Sequence, residues 1–384
     1  MRSSPNSLSR FARVIASCSS DALYDNYDVI RRMVPHQSIM PMIKANAYGH
    51  GAVWVAKSLA QMPALYGFGV ATLEEGLEVR ETLGSRRHRV KILVMSGTTP
   101  WTEDKGQFCE RHDLTPVIAT ERDWQQFLKG GWAERISYEL KFNTGMNRLG
   151  IPIGLAPAIA RSLRNRSTTT HPSGVLSHLA IADHPESKLS ISQKERFISL
   201  RGELSGAFPN AHFHLASSSG IWKHQAWGLK DLTDVVRPGI ALYGIAPWDG
   251  APERGLTPVM SLKASVVAVN QLKRGDSTGY GGAFTFAGTD LTYVATLSAG
   301  YADGIQRALS NYGYAWVSGH ASRFTGVVSM DLCTIGCTAK TRVGEWAEII
   351  GPKVDIWAQA REARTIPYEL LTSISSRVQR VYEK

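Results

Sequence analysis

The sequence has 384 residues, of which 43% are hydrophobic and 20% are charged, and its formal net charge is +10. This composition indicates a globular protein of one large or two medium domains, and the absence of any stretch of about 20 apolar residues argues against a membrane span. The surplus of positive charge favours an anionic partner, either a nucleic acid or a small anionic ligand.

The start of the chain and its cysteines bear on the compartment. Residues 1–17 are rich in arginine and serine, as in a transit peptide, but they lack the continuous apolar stretch of a secretory signal. The basic run "SRRHRVK" (85–91) is interpreted as a solvated loop. We expect a cytoplasmic protein with reduced thiols and no metal site, because no second ligand pair accompanies the closest two cysteines. The cysteines are Cys18, Cys109, Cys333 and Cys337.

Short apolar runs alternate with helix-like stretches through the first two thirds of the chain. Regular alternation of this kind predicts a parallel sheet, and eight units predict a closed (β/α)8 barrel of the TIM type. We assign this barrel to residues 10–246. The eight runs are 38–44, 65–70, 90–95, 114–119, 135–143, 173–180, 211–216 and 235–244.

The amino-acid composition changes after Ala246, where "APWDGAPERGLTP" is rich in proline and glycine. The runs that follow alternate in polarity and are separated by glycine-rich turns without long helices. They predict a mostly β domain over residues 247–384, which closes with a helix and a last strand. The glycine-rich "STGYGGAF" (277–284) lacks the lysine of a nucleotide-binding loop and is interpreted as a β-domain loop.

Lys44 ends the first predicted barrel strand, in "PMIKANAYGHG" (41–51). Barrel enzymes bind ligands at the carboxyl ends of their strands, and a lysine with reduced hydration there becomes available as an amine for Schiff-base chemistry. The alternative is that Lys44 extends from a strand end into solvent without a chemical role. Spacing alone leaves both interpretations open.

Seven motifs resemble those of the alanine racemase family, and they occur in the family's order. They are "KANAYGHG", "KFNTGMNRLG", "VLSHLAIAD", "ASSSGIW", "VVRPGIALYG", "SAGYADG" and "VVSMD", and "SISSRV" extends the likeness toward the end of the chain. The resemblance implies a pyridoxal 5'-phosphate enzyme of fold type III, with a barrel followed by a β domain. It also implies a homodimer with shared active sites that interconverts L- and D-alanine. It also implies that D-alanine is supplied to peptidoglycan.

The resemblance places the two catalytic bases on Lys44, which also binds the cofactor, and on Tyr301, which comes from the partner subunit. It places Arg237 against the pyridine nitrogen. A guanidinium cannot accept a hydrogen bond, so it leaves that nitrogen unprotonated and the ring a weaker electron sink, as suits an enzyme that moves only a proton. The implied phosphate contacts are Tyr48, Ser218, Gly239 and Ile240.

The resemblance assigns the substrate carboxylate to Arg148 and Met330. Lys141 and Asp331 have supporting roles, and Lys141 matches a lysine that is carbamylated in some relatives. His178 matches a histidine that lies near the cofactor and reaches Arg237.

Three positions depart from many relatives: Asn143 stands for aspartate, Ser329 for cysteine and Ser376 for a phosphate-binding tyrosine. His212 and His214, in "HFH", share one face of a strand, but without a third ligand we interpret them as structural.

Other functions remain as alternatives. A racemase of broader or different preference, for serine or lysine, would share these motifs. A decarboxylase of the same barrel class would use an acidic partner at the ring nitrogen, which Arg237 opposes. A cofactor-binding protein built on the barrel alone would not need the second domain. A nucleic-acid-binding protein would need an aromatic and basic platform, and none is found.

Overall fold

The computed structural model describes residues 12–84, 90–164, 167, 170–289 and 292–384. Most of the basic run 85–91 and the first eleven residues of the arginine- and serine-rich segment 1–17 therefore lie outside the described residues. None of the described helices is both long and apolar enough to cross a membrane.

The strands are, in chain order, β1 (Val14–Ser19), β2 (Ser38–Ile39), β3 (Gly67–Val70), β4 (Lys91–Val94), β5 (Thr115–Ile118), β6 (Glu139–Asn143), β7 (Ile151–Pro152), β8 (Gly174–Leu176), β9 (His212–Ser217), β10 (Val235–Arg237), β11 (Met260–Leu272), β12 (Ser277–Thr278), β13 (Phe284–Thr285), β14 (Thr292–Leu297), β15 (Tyr314–Val317), β16 (His320–Arg323), β17 (Cys333–Cys337), β18 (Trp346–Ile350) and β19 (Gln379–Glu383).

The helices are α1 (Ser20–Met33), α2 (Lys44–Tyr48, a left-handed turn described below), α3 (Ala52–Leu59), α4 (Leu73–Thr82), α5 (Glu103–His112), α6 (Glu121–Lys129), α7 (Ala156–Leu163), α8 (Lys188–Ser205), α9 (Ser218–Trp222), α10 (His224–Trp227), α11 (Leu229–Leu232), α12 (Ile356–Glu362) and α13 (Pro367–Thr372).

The chain divides into two compact units. The barrel unit comprises Tyr24–Ala47 and Gly51–Leu256, and the β unit comprises the described residues of Met1–Leu23, Tyr48–His50 and Thr257–Lys384. The predicted boundary at residues 246 and 247 stays a prediction.

The barrel unit contains the predicted parallel barrel. Among the described residues, eight strands follow the order β2-β10-β9-β8-β6-β5-β4-β3, and bridges of Ile39 with Leu65 and of Met42 with Gly69 join the two ends of this order. Gly69 permits that closure, because a Cβ there would lie 2.5 Å from the Met42 sulfur. All eight predicted runs contribute a strand, so the predicted fold class is confirmed.

Side-chain caps explain where several barrel helices begin. Thr72, Thr102, Thr120 and Ser187 each accept a hydrogen bond from a backbone N–H in the first turn of α4, α5, α6 and α8 respectively. A cap of this kind stabilises a helix by about 1 kcal/mol. The caps end the βα loops and thereby define the carboxyl-end rim of the barrel.

The β unit is built on antiparallel pairing. Its larger sheet has the order β16-β15-β18-β11-β1-β19, and β14 joins β11 to β17. In β11 the buried Leu262, Ala264 and Val266 alternate with more exposed residues, as expected of a sheet with one covered face. The glycine-rich 277–284 segment, interpreted from sequence as a loop, lies in the β12–β13 hairpin.

The first strand, β1, lies within residues 10–246, the range predicted for the barrel, but it is not a barrel strand. β1 pairs antiparallel with β11 and parallel with β19, so it belongs to the β unit. The physical reason is its burial pattern, which alternates residue by residue. Parallel barrel strands are covered on both sides and read as continuous apolar runs, whereas β1 has one buried face.

Candidate active site

Lys44 lies where the chain leaves the first barrel strand. The N–H of Ile43 still bonds to Gly69 O at 2.9 Å, and directly afterwards Ala45, Asn46 and Ala47 adopt left-handed φ angles of 51° to 54°. Left-handed backbone costs roughly 1–2 kcal/mol for a residue with a Cβ, so surrounding contacts must hold this turn. The extended segment that follows β2 (Ser38–Ile39) therefore ends sharply at Lys44.

Glu75 supplies one of those contacts. Its Oε1 accepts a hydrogen bond from Ala45 N at 2.7 Å, and its Oε2 accepts one from Ala71 N at 2.7 Å. Asn46 adds another, since its Oδ1 accepts from Ala52 N at 2.9 Å. Sequence analysis missed Glu75, and only its place in the first turn of α4, where carboxylates are favoured, could have indicated a binding role.

The environment of Lys44 lowers the pKa of its ammonium group. Loss of hydration lowers the pKa of the Lys44 ammonium group, the positive charge of Arg148 lowers it further, and Glu75 partly opposes both. The side chain itself remains exposed. This arrangement gives an accessible amine that loses its proton more readily than an ordinary lysine.

Arg237, at the end of β10, is buried, and one of its side-chain nitrogens has no hydrogen-bond partner among the described residues. Its Nη2 donates to Ser177 O at 2.6 Å and to Leu215 O at 3.1 Å. Its Nη1 is buried and has no hydrogen-bond partner among the described residues. Burial lowers the pKa of Arg237 to about 10, which still leaves the guanidinium charged at neutral pH. Such a buried donor is suited to an acceptor on a ligand.

His178 is held neutral beside Arg237. Burial, followed by the charge of Arg237, lowers the pKa of His178 to about 3. The Nη2 of Arg237 lies 3.3 Å from His178 Nδ1. Both hydrogens of this Nη2 already reach the carbonyl oxygens of Ser177 and Leu215, so the Nδ1 contact is at most a shared hydrogen bond.

Lys141, on β6, lies near other positively charged side chains. It is buried, and burial lowers its pKa to about 8, with further lowering by Arg237, Arg148 and Lys44. We call Lys44, Lys141, Arg148, His178 and Arg237 the barrel cluster. Its surplus of positive charge without a matching carboxylate among these residues favours an anionic ligand.

Asn143 shapes the loop that leads to Arg148. Its Oδ1 accepts from Gly145 N at 3.0 Å and Asn147 N at 3.1 Å, and its Nδ2 donates to Asn147 Oδ1 at 2.9 Å. Aspartate could make the first two bonds but not the third, because it has no donor when ionised. The departure at this position therefore has a structural use.

Ser218 organises the turn predicted to bind phosphate. Its Oγ accepts from Gly239 N at 3.0 Å and Ala241 N at 3.3 Å, and Ile240 between them is buried. Two accepted bonds leave the hydroxyl proton of Ser218 available for a ligand.

The β unit holds the other predicted residues. Tyr301 N donates to Ser329 O at 2.9 Å and Ala302 N to Met330 O at 3.0 Å, so two turns lie against each other. Gly300 allows this approach, since a Cβ there would lie 2.3 Å from Met330 O. Both side chains are presented to solvent, Tyr301 being 44% and Met330 53% exposed. We call Tyr301, Met330 and Asp331 the tyrosine cluster.

Tyr48 also belongs to the β unit. Its ring centroid lies 5.9 Å from that of Tyr368 in α13, and burial raises the pKa of the Tyr48 phenol. Sequence analysis did not single out Tyr368. Ser376 is exposed and directly precedes Arg377.

The paired histidines are structural in their contacts. His214 Nε2 lies 3.2 Å from Glu139 Oε2, both being fully buried, and His212 packs edge-on against Tyr66. Within the described ranges, no group of three His, Cys, Asp or Glu side chains could hold a metal ion. The four thiols are unpaired, and burial raises the pKa of Cys18, Cys109 and Cys333 to about 12.

Two family profiles match the chain in tandem. "Alanine racemase, N-terminal domain" covers residues 18–247, and "Alanine racemase, C-terminal domain" covers residues 259–382. The alanine racemase of Shewanella loihica is 34% identical over 367 residues, which are 94% of this chain and 97% of that protein.

Solved structures agree with these matches. The biosynthetic alanine racemase from Pseudomonas aeruginosa is 31% identical, with a TM-score of 0.84 and coverage of 97% of this chain and 100% of that one. The alanine racemase from Bartonella henselae with covalently bound pyridoxal phosphate is 28% identical, with a TM-score of 0.82 and coverage of 97% and 99%. The motifs, the barrel with its β unit and the matches over both domains lead to one conclusion: the chain belongs to the alanine racemase family.

Proposed function

We propose that this protein interconverts L- and D-alanine with pyridoxal 5'-phosphate as its cofactor, in the cytoplasm, and that it supplies D-alanine for cell-wall synthesis. Family membership and the names of its relatives support the reaction. The observation that carries the proposal in this chain is the buried, unpartnered Nη1 of Arg237 within a cationic cluster that includes Lys44.

The residues present fit the cofactor. When bound, pyridoxal phosphate supplies an electron sink that makes the α-hydrogen of an amino acid acidic. Lys44 provides the amine for its covalent attachment, and Arg237 Nη1 provides the donor for its ring nitrogen. Ser218, Gly239, Ile240 and Tyr48 would hold the phosphate, and Arg148 the oxygen on the ring.

Two residues then move protons. Lys44, whose ammonium group has a lowered pKa, accepts or returns the α-proton on one face of the amino acid. Tyr301 does the same on the other face. Arg237 remains a cation that would only donate a hydrogen bond to the ring nitrogen, so this nitrogen would stay unprotonated, which limits the electron withdrawal and suits a reaction that moves only a proton.

Lys141 is suited to carry a modification in this cluster. With a pKa of about 8 it is partly neutral near physiological pH, and a neutral amine can bond to carbon dioxide with release of a proton. The resulting carbamate would place an anion among the charges of Arg237, Arg148 and Lys44. We propose that it holds Arg148 toward the substrate carboxylate, with Met330 as the other substrate contact.

The decisive test is incubation of the purified protein and pyridoxal phosphate with L-alanine and, separately, D-alanine in D2O, analysed by chiral chromatography and mass spectrometry. We expect both to approach a racemic mixture with deuterium at the α-carbon. Exchange with serine or lysine but not with alanine would overturn the assigned substrate. No exchange with any amino acid would overturn the racemase itself.

We propose further that the protein is a homodimer in which Tyr301 and Met330 of one subunit complete the site of the other. Their exposure in the tyrosine cluster supports this, because a side chain 44% or 53% exposed has surface available to a second chain. Mixing Lys44→Ala chains with Tyr301→Phe chains should restore activity through one intact hybrid site per heterodimer.

That mixing experiment requires each inactive variant alone as its control, together with heterodimers verified by differently tagged chains. Random pairing makes half of the dimers hybrid, and each hybrid has one intact site, so about a quarter of wild-type activity is expected. Verified heterodimers as inactive as the parents would contradict shared sites.

A further inference from the structure

Arg377 hydrogen-bonds to both the Tyr301 turn and the Met330 turn, and Arg13 lies farther from the same two carboxylates, at 3.8 Å from Asp303 and 4.0 Å from Asp331. Arg377 Nε donates to Asp303 Oδ1 at 2.6 Å and its Nη2 to Asp303 Oδ2 at 2.9 Å. The same Nη2 donates to Asp331 Oδ1 at 2.7 Å. Asp303 lies two residues after Tyr301 and Asp331 directly follows Met330, so a single guanidinium spans both segments of the tyrosine cluster.

Asp303 connects this guanidinium to the backbone of the tyrosine turn. Its carboxylate is only 2% exposed and also accepts from Gly300 N at 2.9 Å, directly before Tyr301. Its backbone oxygen accepts from Ser375 N at 3.2 Å, near Arg377 in sequence. Asp303 therefore holds the residue before Tyr301 through its carboxylate and joins the turn to the segment of Arg377 through its backbone oxygen.

Tyr301 has little else to place it. Its ring is 44% exposed, and its hydroxyl makes no hydrogen bond within the part of the chain that the structure describes. The position of the phenol therefore follows from the position of its backbone turn. A planar guanidinium that binds a carboxylate with two parallel bonds fixes geometry more tightly than a single flexible cation does.

We infer that Asp303 and Arg377 are positioning residues for Tyr301, and that Asp331, through the same guanidinium, sets the Met330 segment relative to it. The inference rests on the proposed racemase function, since it concerns the base on one side of the substrate. Loss of the guanidinium fork should impair proton transfer by Tyr301 and leave proton transfer by Lys44 in place.

Arg377→Lys keeps the charge and removes the fork. A displacement of the order of 1 Å at a reacting group can cost about 10²-fold in rate, so we expect racemisation to fall roughly 10²-fold. Cofactor loading, followed by visible absorbance, should remain as in the wild type. The enantiomer attacked by Lys44 should still exchange its α-hydrogen in D2O, now faster than it inverts.

Isotope effects distinguish positioning from a general structural role. With α-deuterated alanine, the primary isotope effect should increase in the direction where Tyr301 removes the deuteron and decrease in the other. A fall of exchange and racemisation by the same factor, with isotope effects unchanged in both directions, would overturn the inference, and so would loss of cofactor loading or unchanged racemisation.

Two further variants keep the test sharp. Asp331→Asn leaves the ion pair of Arg377 with Asp303 intact. Because Asp331 is 49% exposed, this variant should give the same pattern with a smaller, several-fold loss of racemisation. Unchanged isotope effects in this variant would contradict the link to Met330. Arg135→Lys breaks another fork, with Glu110 on α5, and should leave all readouts unchanged. The wild type separates the two proposals, because absent exchange in it refutes the racemase, whereas an unaffected Tyr301 side in the variants refutes only the positioning role.

Discussion

Replacement of Lys44 by alanine is expected to reduce racemisation by at least about 10³-fold, because one side chain provides both the covalent attachment of the cofactor and a general base, and a base alone contributes about 10²–10⁴-fold. The lowered pKa of Lys44 beside Arg148 and the sharp turn after Ile43 suit its amine to both roles. Activity is measured in both directions with saturating pyridoxal phosphate, and covalent attachment is measured by mass after borohydride reduction.

Two control variants define what that loss means. Lys44→Arg keeps a positive charge but cannot form the covalent link or act as a base near neutral pH, so it should be as inactive as the alanine variant. Lys57→Ala removes an exposed lysine of α3 and should retain full activity and attachment. Attachment of the cofactor in the Lys44→Ala protein, or activity within tenfold of the wild type, would show that another lysine is the cofactor lysine.

Exchange of Arg237 for glutamate is expected to change both the rate and the spectrum. A carboxyl group can share a proton with the ring nitrogen where the guanidinium can only donate to it, so the ring becomes a stronger electron sink. We expect a new long-wavelength absorbance band during turnover and a loss of racemisation of about 10²–10³-fold, the usual range for removing one preorganised donor.

The burial of Arg237 makes a second variant necessary. The glutamate would leave Ser177 O and Leu215 O without the donors they now have, and unpaired buried groups destabilise a fold. Arg237→Lys retains a cationic donor and should lose rate without the new band, while circular dichroism and the melting temperature report folding of both. A folded glutamate variant whose turnover spectrum matches the wild type would remove Arg237 from the ring nitrogen.

The barrel was accessible from sequence because its signal is local. Several of the eight strands are short runs buried on both faces, and such runs can be recognised without knowing their neighbours. The same holds for Lys44 and Arg237, which stand at the ends of such runs, because carboxyl ends of barrel strands meet on one rim. A position along a strand therefore already implies a place in the molecule.

The contacts that hold these residues were not accessible in the same way. Glu75 reaches Ala45 across 30 positions of sequence, and Arg377 reaches Asp303 across 74. Nothing in the spacing of such pairs distinguishes them from any other acidic and basic residues. β1 likewise pairs with strands that lie 242 to 250 and 364 positions later, as in the pairs of Val14 with Ala264 and of Ser19 with Glu383.

Hydrophobic periodicity and motif order are properties of contiguous residues, so the barrel followed by a β domain, the family motifs and the types of side chain available for chemistry can be recognised in the amino-acid order alone. The folded chain is needed to show which strands β1 pairs with, that Arg237 has one buried nitrogen without a partner among the described residues, that His178 is neutral and that Arg377 binds two carboxylates at once. Burial, pKa and hydrogen-bond partners depend on groups that the fold brings together from distant positions, and no local pattern encodes them.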